Sequence, residues 1–115
     1  MQLDNLTYDN LFAGSFPVVT EAITIAASQT VRRGDVLVKG GTGTYAQAAA
    51  VVEAADRIVI ASEGVTTGAG ETAESAGYSS GEFNESAIGF GGASTADDNR
   101  DILADKSIYL KKIQK

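Results

Sequence analysis

The sequence contains no cysteine, no histidine and no tryptophan, and a single proline. Without cysteine there is neither a disulfide nor a thiolate nucleophile; without histidine there is no imidazole base, and the usual zinc and copper ligand sets are gone. Most catalytic and metal chemistry leaves with these two residue types. Aromatic residues make up only 7% of the 115 positions, so a core has to be built mainly from Val, Ile and Leu, with Gly, Ala, Ser and Thr filling much of the rest. No apolar run approaches the roughly 18 residues that a membrane helix needs, and residues 1–10 lack the basic and apolar regions of a signal peptide. The expectation is a protein made in the cytoplasm and not exported by that route.

Positive charge is scarce as well, and it is unevenly placed. All fifteen acidic residues lie at or before Asp105, where only five of the nine Lys and Arg occur, a net −10; from Lys106 to Lys115 the chain is +4. A nucleic-acid binder needs a basic stripe that displaces counterions from phosphates. The body carries the opposite sign, so neither nucleic acid nor an anionic membrane is expected as a partner. The length suits one domain with a modest core.

Residues 1–17 mix Asp and Asn with isolated large apolar groups, Leu3, Leu6, Tyr8, Leu11, Phe12 and Phe16, at neither a helical nor a strand period. This reads as an extended N-terminal arm ahead of a single β-rich domain over residues 18–115. The arm's apolar groups either meet a partner or pack back on their own domain, since a small domain uses every apolar group it has. Pro17 holds Phe16 out of the helical region and marks where regular structure begins.

A first strand is expected over residues 18–25, with Val19, Ile23 and Ile25 on one face. Val31, Arg32, Arg33, Gly34 and Asp35 form a Gly-centred turn into a short strand, Val36-Leu37-Val38, which Gly40, Gly41 and Gly43 interrupt. Arg57-Ile58-Val59-Ile60-Ala61-Ser62 reads as a buried strand in the centre of a sheet. Residues 64–80 turn to Gly, Thr, Ser and Ala, and read as a wide surface loop or an exposed edge strand near Glu71 and Glu74. Ser79-Ser80 reads as a turn before a strand, Gly81-Glu82-Phe83-Asn84, that bends toward the core at Ile88 and Phe90, with Phe83 as the aromatic anchor. Thr95 and Asp98 have the spacing of a capping box for a short helix carrying Ile102 and Leu103 and ending near Lys106; residues 108–113 return to strand. The fold class is therefore mainly β, a small barrel- or sandwich-like domain with one short helix near the C-terminus.

Four patterns resemble functional sites. Gly41-Thr42-Gly43-Thr44-Tyr45-Ala46 follows a strand and precedes an Ala-rich run and Glu63, as in a dinucleotide fingerprint, but no further βα unit follows and Val51 and Val52 suit a strand equally. Asp97, Asn99 and Asp101 have the alternation of a calcium loop, yet Ile102 stands where Gly is required and Ile108 where a chelating Glu is required; these groups serve to cap a helix and favour its positive end. Glu82 and Glu85 are oddly spaced, so a strand sends them to opposite faces as solvated charges and not as a glycosidase pair. Ser28, Ser62, Ser79 and Ser80 have no base to activate them. No catalytic, metal or cofactor site is expected.

The order of elements resembles the bacteriophage lambda head decoration protein family over roughly residues 18–112. The resembling parts are Gly34-Asp35-Val36-Leu37, a Gly/Thr turn before Tyr45, Arg57-Ile58-Val59-Ile60-Ala61, and Ser80-Gly81-Glu82-Phe83-Asn84 before Ile88; the Gly-x-Phe part is the most specific. The resemblance implies a non-enzymatic all-β virion protein, a homotrimer on the outer surface of the expanded head, with the major capsid protein as its partner. It further implies that Leu3, Leu6, Tyr8, Leu11, Phe12 and Phe16 contact the shell by adding the arm to a sheet edge, and that Gly34, Asp35, Gly81, Phe83 and Asn84 are structural, with Gly81 permitting a bulge or close approach. Two features depart from the family: Arg57 stands where a small residue precedes the apolar strand, and the C-terminal helix and Lys-rich tail are longer. A tail or baseplate β-module, and a dinucleotide-binding enzyme through Gly41 and Gly43, are the alternatives.

Overall fold

Four consecutive apolar residues, Ile58, Val59, Ile60 and Ala61, are all buried. Side chains alternate along a strand, so this requires cover on both faces. The computed structural model, which describes residues 11–12, 17–48, 56–90 and 95–112, meets that requirement with two apolar layers on either side of one sheet.

The strands are β1 (Val19–Ile25), β2 (Thr30–Val31), β3 (Val36–Lys39), β4 (Tyr45–Gln47), β5 (Ile58–Ala61), β6 (Val65–Thr66), β7 (Ala73–Asn84) and β8 (Ile108–Lys111). A 3-10 turn (Glu85–Ala87) follows β7, and helix α1 (Ala96–Asp105) precedes β8. Strands run in the order β1-β4-β3-β5-β7, and pairing of β7 back onto β1 closes a five-stranded barrel. The far half of β7 leaves the barrel and pairs in parallel with β8, while β2 and β6 form a separate two-stranded ribbon. The mainly β class, the central buried strand and the short C-terminal helix agree with the sequence reading.

Alternation divides the core. Val59 and Ala61 face inward with Ile23, Ile25, Leu37 and Tyr45, and Val31 extends that cluster. Ile58 and Ile60 face outward with Val36, where Leu11, Phe83, Ile88, Leu103, Ile108 and Leu110 cover them. The interior has little room near β7: a Cβ on Gly77 would stand 2.6 Å from Cγ2 of Val59.

The helix begins as the spacing predicts. Thr95 Oγ1 accepts from the Asp98 amide, and the Asp98 carboxylate accepts from the Thr95 amide, a complete capping box. Arg100 then fastens the helix to its surroundings, donating to the Leu110 carbonyl at 2.9 Å, to Glu85 at 2.7 Å and to Asp97 at 3.0 Å.

Several expectations are corrected. Residues 73–80 are no loop or edge: they begin the longest strand described, paired with β1 on one side and with β5 at Ile60–Tyr78 and Ala61–Gly77 on the other. Ser79 and Ser80 lie within that strand, and their hydroxyls bind the start of β1 at the Val19 and Pro17 carbonyls. Val19 does not share the burial of Ile23 and Ile25: it is 52% exposed, at the start of β1 where the register to β7 shifts between Val19 and Thr20. Glu82 and Glu85 are not free solvated charges but ion-pair with Lys111 and Arg100. The last strand ends at Lys111, and Ile113 lies outside the described residues.

Candidate interaction surface

The residues expected to be structural occupy the tightest places of the fold. Gly34 has φ +95°, and a Cβ there would run into the Ala87 carbonyl, so both conformation and space call for glycine. Its amide donates to Ala61 O at 2.9 Å, and the Ala61 amide returns a bond to Asp35 O at 2.9 Å. Gly89 joins from the other side, donating to Gly34 O and accepting from the Val36 amide. The Asp35 carboxylate is buried, and its Oδ2 accepts from the Arg32 amide at 2.9 Å and Gln47 Nε2 at 2.7 Å. Two donors on one oxygen offset the cost of burying the group, as a structural carboxylate requires. A small cavity of about 180 Å³ lies beside it, lined by Arg32, Gln47 and Phe90 among others.

Gly81 stands where β7 leaves the barrel, at φ +146°, with its amide bonded to Ser107 O at 3.0 Å. Phe83 is fully buried, as the sequence predicts, with the rings of Phe12 and Tyr78 packed around it at 5.5 and 6.1 Å. The Asn84 side chain caps the following 3-10 turn, accepting from the Ser86 amide.

The expected arm residues divide. Leu11 is 2% exposed in the outer core layer, Phe12 forms a bridge to Phe83, and the Asn84 amide donates to Leu11 O at 2.7 Å. For these two residues the chain packs back on its own domain, the second of the two destinations weighed for the arm's apolar groups. Leu3, Leu6, Tyr8 and Phe16 lie outside the described residues.

The Gly41–Ala46 pattern is a hairpin turn. Gly40 donates to Thr44 O at 2.7 Å, Gly43 has φ +89°, and Tyr45 begins β4. The turn therefore opens into a strand and not into the helix that a pyrophosphate cradle uses. Residues 49–55 lie outside the described residues. Of the calcium-loop pattern, Asn99 is buried and donates to Thr95 O, and Asp97 is turned to Arg100. Among the described residues no cluster of three His, Cys, Asp or Glu side chains is placed to hold a metal.

A wider concavity has no counterpart in any sequence pattern. β1 and β4 run parallel, and among the described residues they pair only at Ile25–Tyr45. From there they splay, opening a groove of about 400 Å³ along the edge of β1, bounded by Glu21, Ile23, Lys39, Tyr45, Arg57 and Glu74. Arg57 donates to both Glu21 oxygens at 2.7 and 2.8 Å and to the Tyr45 hydroxyl at 3.1 Å, bracing the barrel mouth beside the opening. The Glu21 carboxylate and Tyr45 hydroxyl raise the Arg57 pKa further above its ordinary value, so the brace stays charged at any physiological pH. This is a local reason for an arginine at the entry to β5.

Val18 and Val19 are 42% and 52% exposed at the start of the same strand edge. Nothing in composition or spacing marks Glu21, Ala22 and Arg57 as neighbours, because the groove comes from two strands diverging and not from a motif. Comparison with protein-family models finds no match, and comparison with curated proteins likewise finds none.

Proposed function

We propose that this protein is a structural component of a tailed-phage virion, decorating and stabilising the outer surface of the expanded head as a homotrimer bound to the major capsid protein. One observation carries this reading. The segments that resemble the lambda decoration family are far apart in sequence, yet they meet in one packed unit. Gly34 and Asp35 exchange backbone hydrogen bonds with Ala61, and Val36, Ile58, Ile60, Phe83 and Ile88 share a single apolar cluster. A resemblance made of unconnected short matches would not be expected to converge in this way.

The chemistry of the surface is compatible with the same reading. The body is acidic, which disfavours the DNA inside a head as its ligand, and the exposed aliphatic groups at β1 suit contact with protein. A trimer at three-fold positions would give each weak contact the benefit of three attachment points.

The test is co-sedimentation of the purified protein with undecorated phage heads, expanded and unexpanded, with light scattering on the free protein. Saturable binding to expanded heads alone is the expected result. Absence of binding to either form would overturn the reading and direct attention to tail assemblies.

A further inference from the structure

One guanidinium touches strands that lie on opposite borders of the sheet. Unrolled, the strand order is β4-β3-β5-β7-β1, with β5 in the middle and β4 and β1 at the two borders. At the usual strand spacing those borders would stand about 19 Å apart. Arg57 comes immediately before β5, and its backbone carbonyl accepts from the Lys39 amide of β3 at 3.0 Å. From there its side chain donates to the Tyr45 hydroxyl of β4 at 3.1 Å and to the Glu21 carboxylate of β1 at 2.7 and 2.8 Å. A group a few Å across holds both borders at once only when the sheet is rolled up, so this set of bonds belongs to the closed barrel alone.

The seam it crosses has the sparsest backbone pairing of the barrel. β1 and β7 pair along the whole of Val19–Ile25, and β3 pairs with β4 and β5 along most of its length. β5 and β7 pair at Ile60–Tyr78 and Ala61–Gly77, and the Ser62 amide continues to Ala76 O. Among the described residues β1 and β4 pair only at Ile25–Tyr45, where the Ala26 amide donates to Tyr45 O at 2.8 Å. Side chains tie the seam on either side of that bond. Gln29 Oε1 accepts from the Gln47 amide at 3.0 Å toward one end, and Arg57 spans the splayed end. Glu21 has the parity of Ile23 and Ile25, which face the interior, so the guanidinium lies across the barrel mouth.

We propose that the β1–β4 seam is the line along which the barrel opens, and that Arg57 is the strap that holds it shut by gripping both borders of the sheet. Opening there leaves the other strand pairings in place and uncovers Ile23, Ile25 and Tyr45 without unfolding the domain. The Arg57 side chain is 57% exposed, so its bonds add little to global stability. The seam has few other ties, and a modest interaction is enough to set a local opening equilibrium. The device does not depend on what the protein binds.

The experiment is amide hydrogen exchange by NMR on the full chain. The Ala26 amide reports the seam, and the Ala61 amide, bonded to Asp35 O in the barrel wall, is the reference. In the unmodified protein Ala26 should exchange well ahead of Ala61. Arg57→Gln should speed Ala26 by about three- to tenfold and leave Ala61 unchanged. Tyr45→Phe keeps the buried ring and removes one grip; it should speed Ala26 less than Arg57→Gln does, and add nothing when combined with it. Raising the salt concentration tests the strap without any variant, since screening of the Arg57–Glu21 pair should speed Ala26 and not Ala61. Equal acceleration of both amides in Arg57→Gln would make Arg57 a general stabiliser and overturn the proposal. An Ala26 amide as slow as Ala61 in the unmodified protein would overturn it too, as would additive effects of the two substitutions.

Discussion

The two apolar layers on either side of β3 and β5 are built differently. The barrel interior is filled by aliphatic side chains from neighbouring strands, with Tyr45 its only ring among the described residues and a glycine, Gly77, where Val59 leaves no space. The outer layer collects pieces from across the chain: Leu11 and Phe12, the end of β7, the 3-10 turn, α1 and β8. It also holds the mutual contacts of Phe12, Tyr78 and Phe83. The interior is held by a ladder in which each strand pairs with two neighbours, β1 and β4 at Ile25–Tyr45 alone among the described residues. The outer layer is held mainly by side-chain packing around one residue, Phe83, and is therefore the layer that a single truncation should loosen.

The largest expected effect follows from that. Phe83→Ala should cost about 3 to 5 kcal/mol in chemical denaturation, the usual range for a fully buried aromatic. Hydrogen exchange should rise first in α1 and β8 and only later in β5, whose pairing to β3 and β7 survives. Uniform loss of protection would mean that the two layers fold as one unit. Truncation sharpens the same point from the other end of the chain. Removing residues 1–16 takes Leu11 and Phe12 out of the outer layer, and Leu11→Ala alone should cost about 2 to 5 kcal/mol. An unchanged denaturation midpoint after loss of residues 1–16 would return Leu11 to an arm.

The interior can be probed by overfilling it. Gly77→Ala forces a Cβ against Val59 and should cost about 1 to 3 kcal/mol, whereas Gly41→Ala, with open space around it, should leave the melting temperature nearly unchanged. Equal melting temperatures for the two variants would mean that the interior relaxes easily and is not the rigid layer.

What can be read from the sequence follows the same division. Ile58–Ala61 is legible as a central strand because a short, unbroken apolar run bounded by polar residues suits a strand covered on both faces. The helix start is legible because a capping box is local. By contrast, Ala73–Ser80 carries Ala, Ser, Gly and Tyr without a β-branched residue, and forms a strand only because β1 and β5 flank it on both sides. The small side chains that give it the composition of a loop are what the crowded barrel wall beside Val59 admits. Leu11 and Phe12 look like arm residues because single apolar positions carry no period, and their destination, Phe83, lies far along the chain. Glu82 and Glu85 likewise find Lys111 and Arg100 only after β7 and β8 pair. The groove between β1 and β4 has no sequence signal, since it depends on where two strands stop touching.

A smaller effect is expected at the helix that covers the outer layer. Thr95→Ala removes the acceptor for the Asp98 amide and should cost about 1 kcal/mol in chemical denaturation. The change should act on α1 and β8 while leaving exchange in β1 unaltered, because the cap touches neither β3 nor β5. A larger cost spread through the barrel would show that the helix cap supports both layers.

The smallest effect, and the most selective for the outer layer, is on pH dependence. Asp97 accepts a hydrogen bond from Arg100, and that bond followed by the arginine's charge lowers its pKa below the ordinary 3.8. A carboxylate whose folded pKa is depressed contributes stability that is fully present above its unfolded value and is lost as pH falls through the lowered folded value. Asp97 is exposed, so solvent screens this contribution and it should be small. Asp97→Asn should therefore lower the melting temperature slightly at neutral pH, and the gap from the unmodified protein should close as pH drops below about 4. Arg100 keeps its bonds to Glu85 and the Leu110 carbonyl in that variant, so the attachment of α1 to β8 should survive. A gap that stays constant with pH would mean that Asp97 acts through helix geometry and not through its charge, leaving Glu85 as the carboxylate that fastens Arg100 electrostatically.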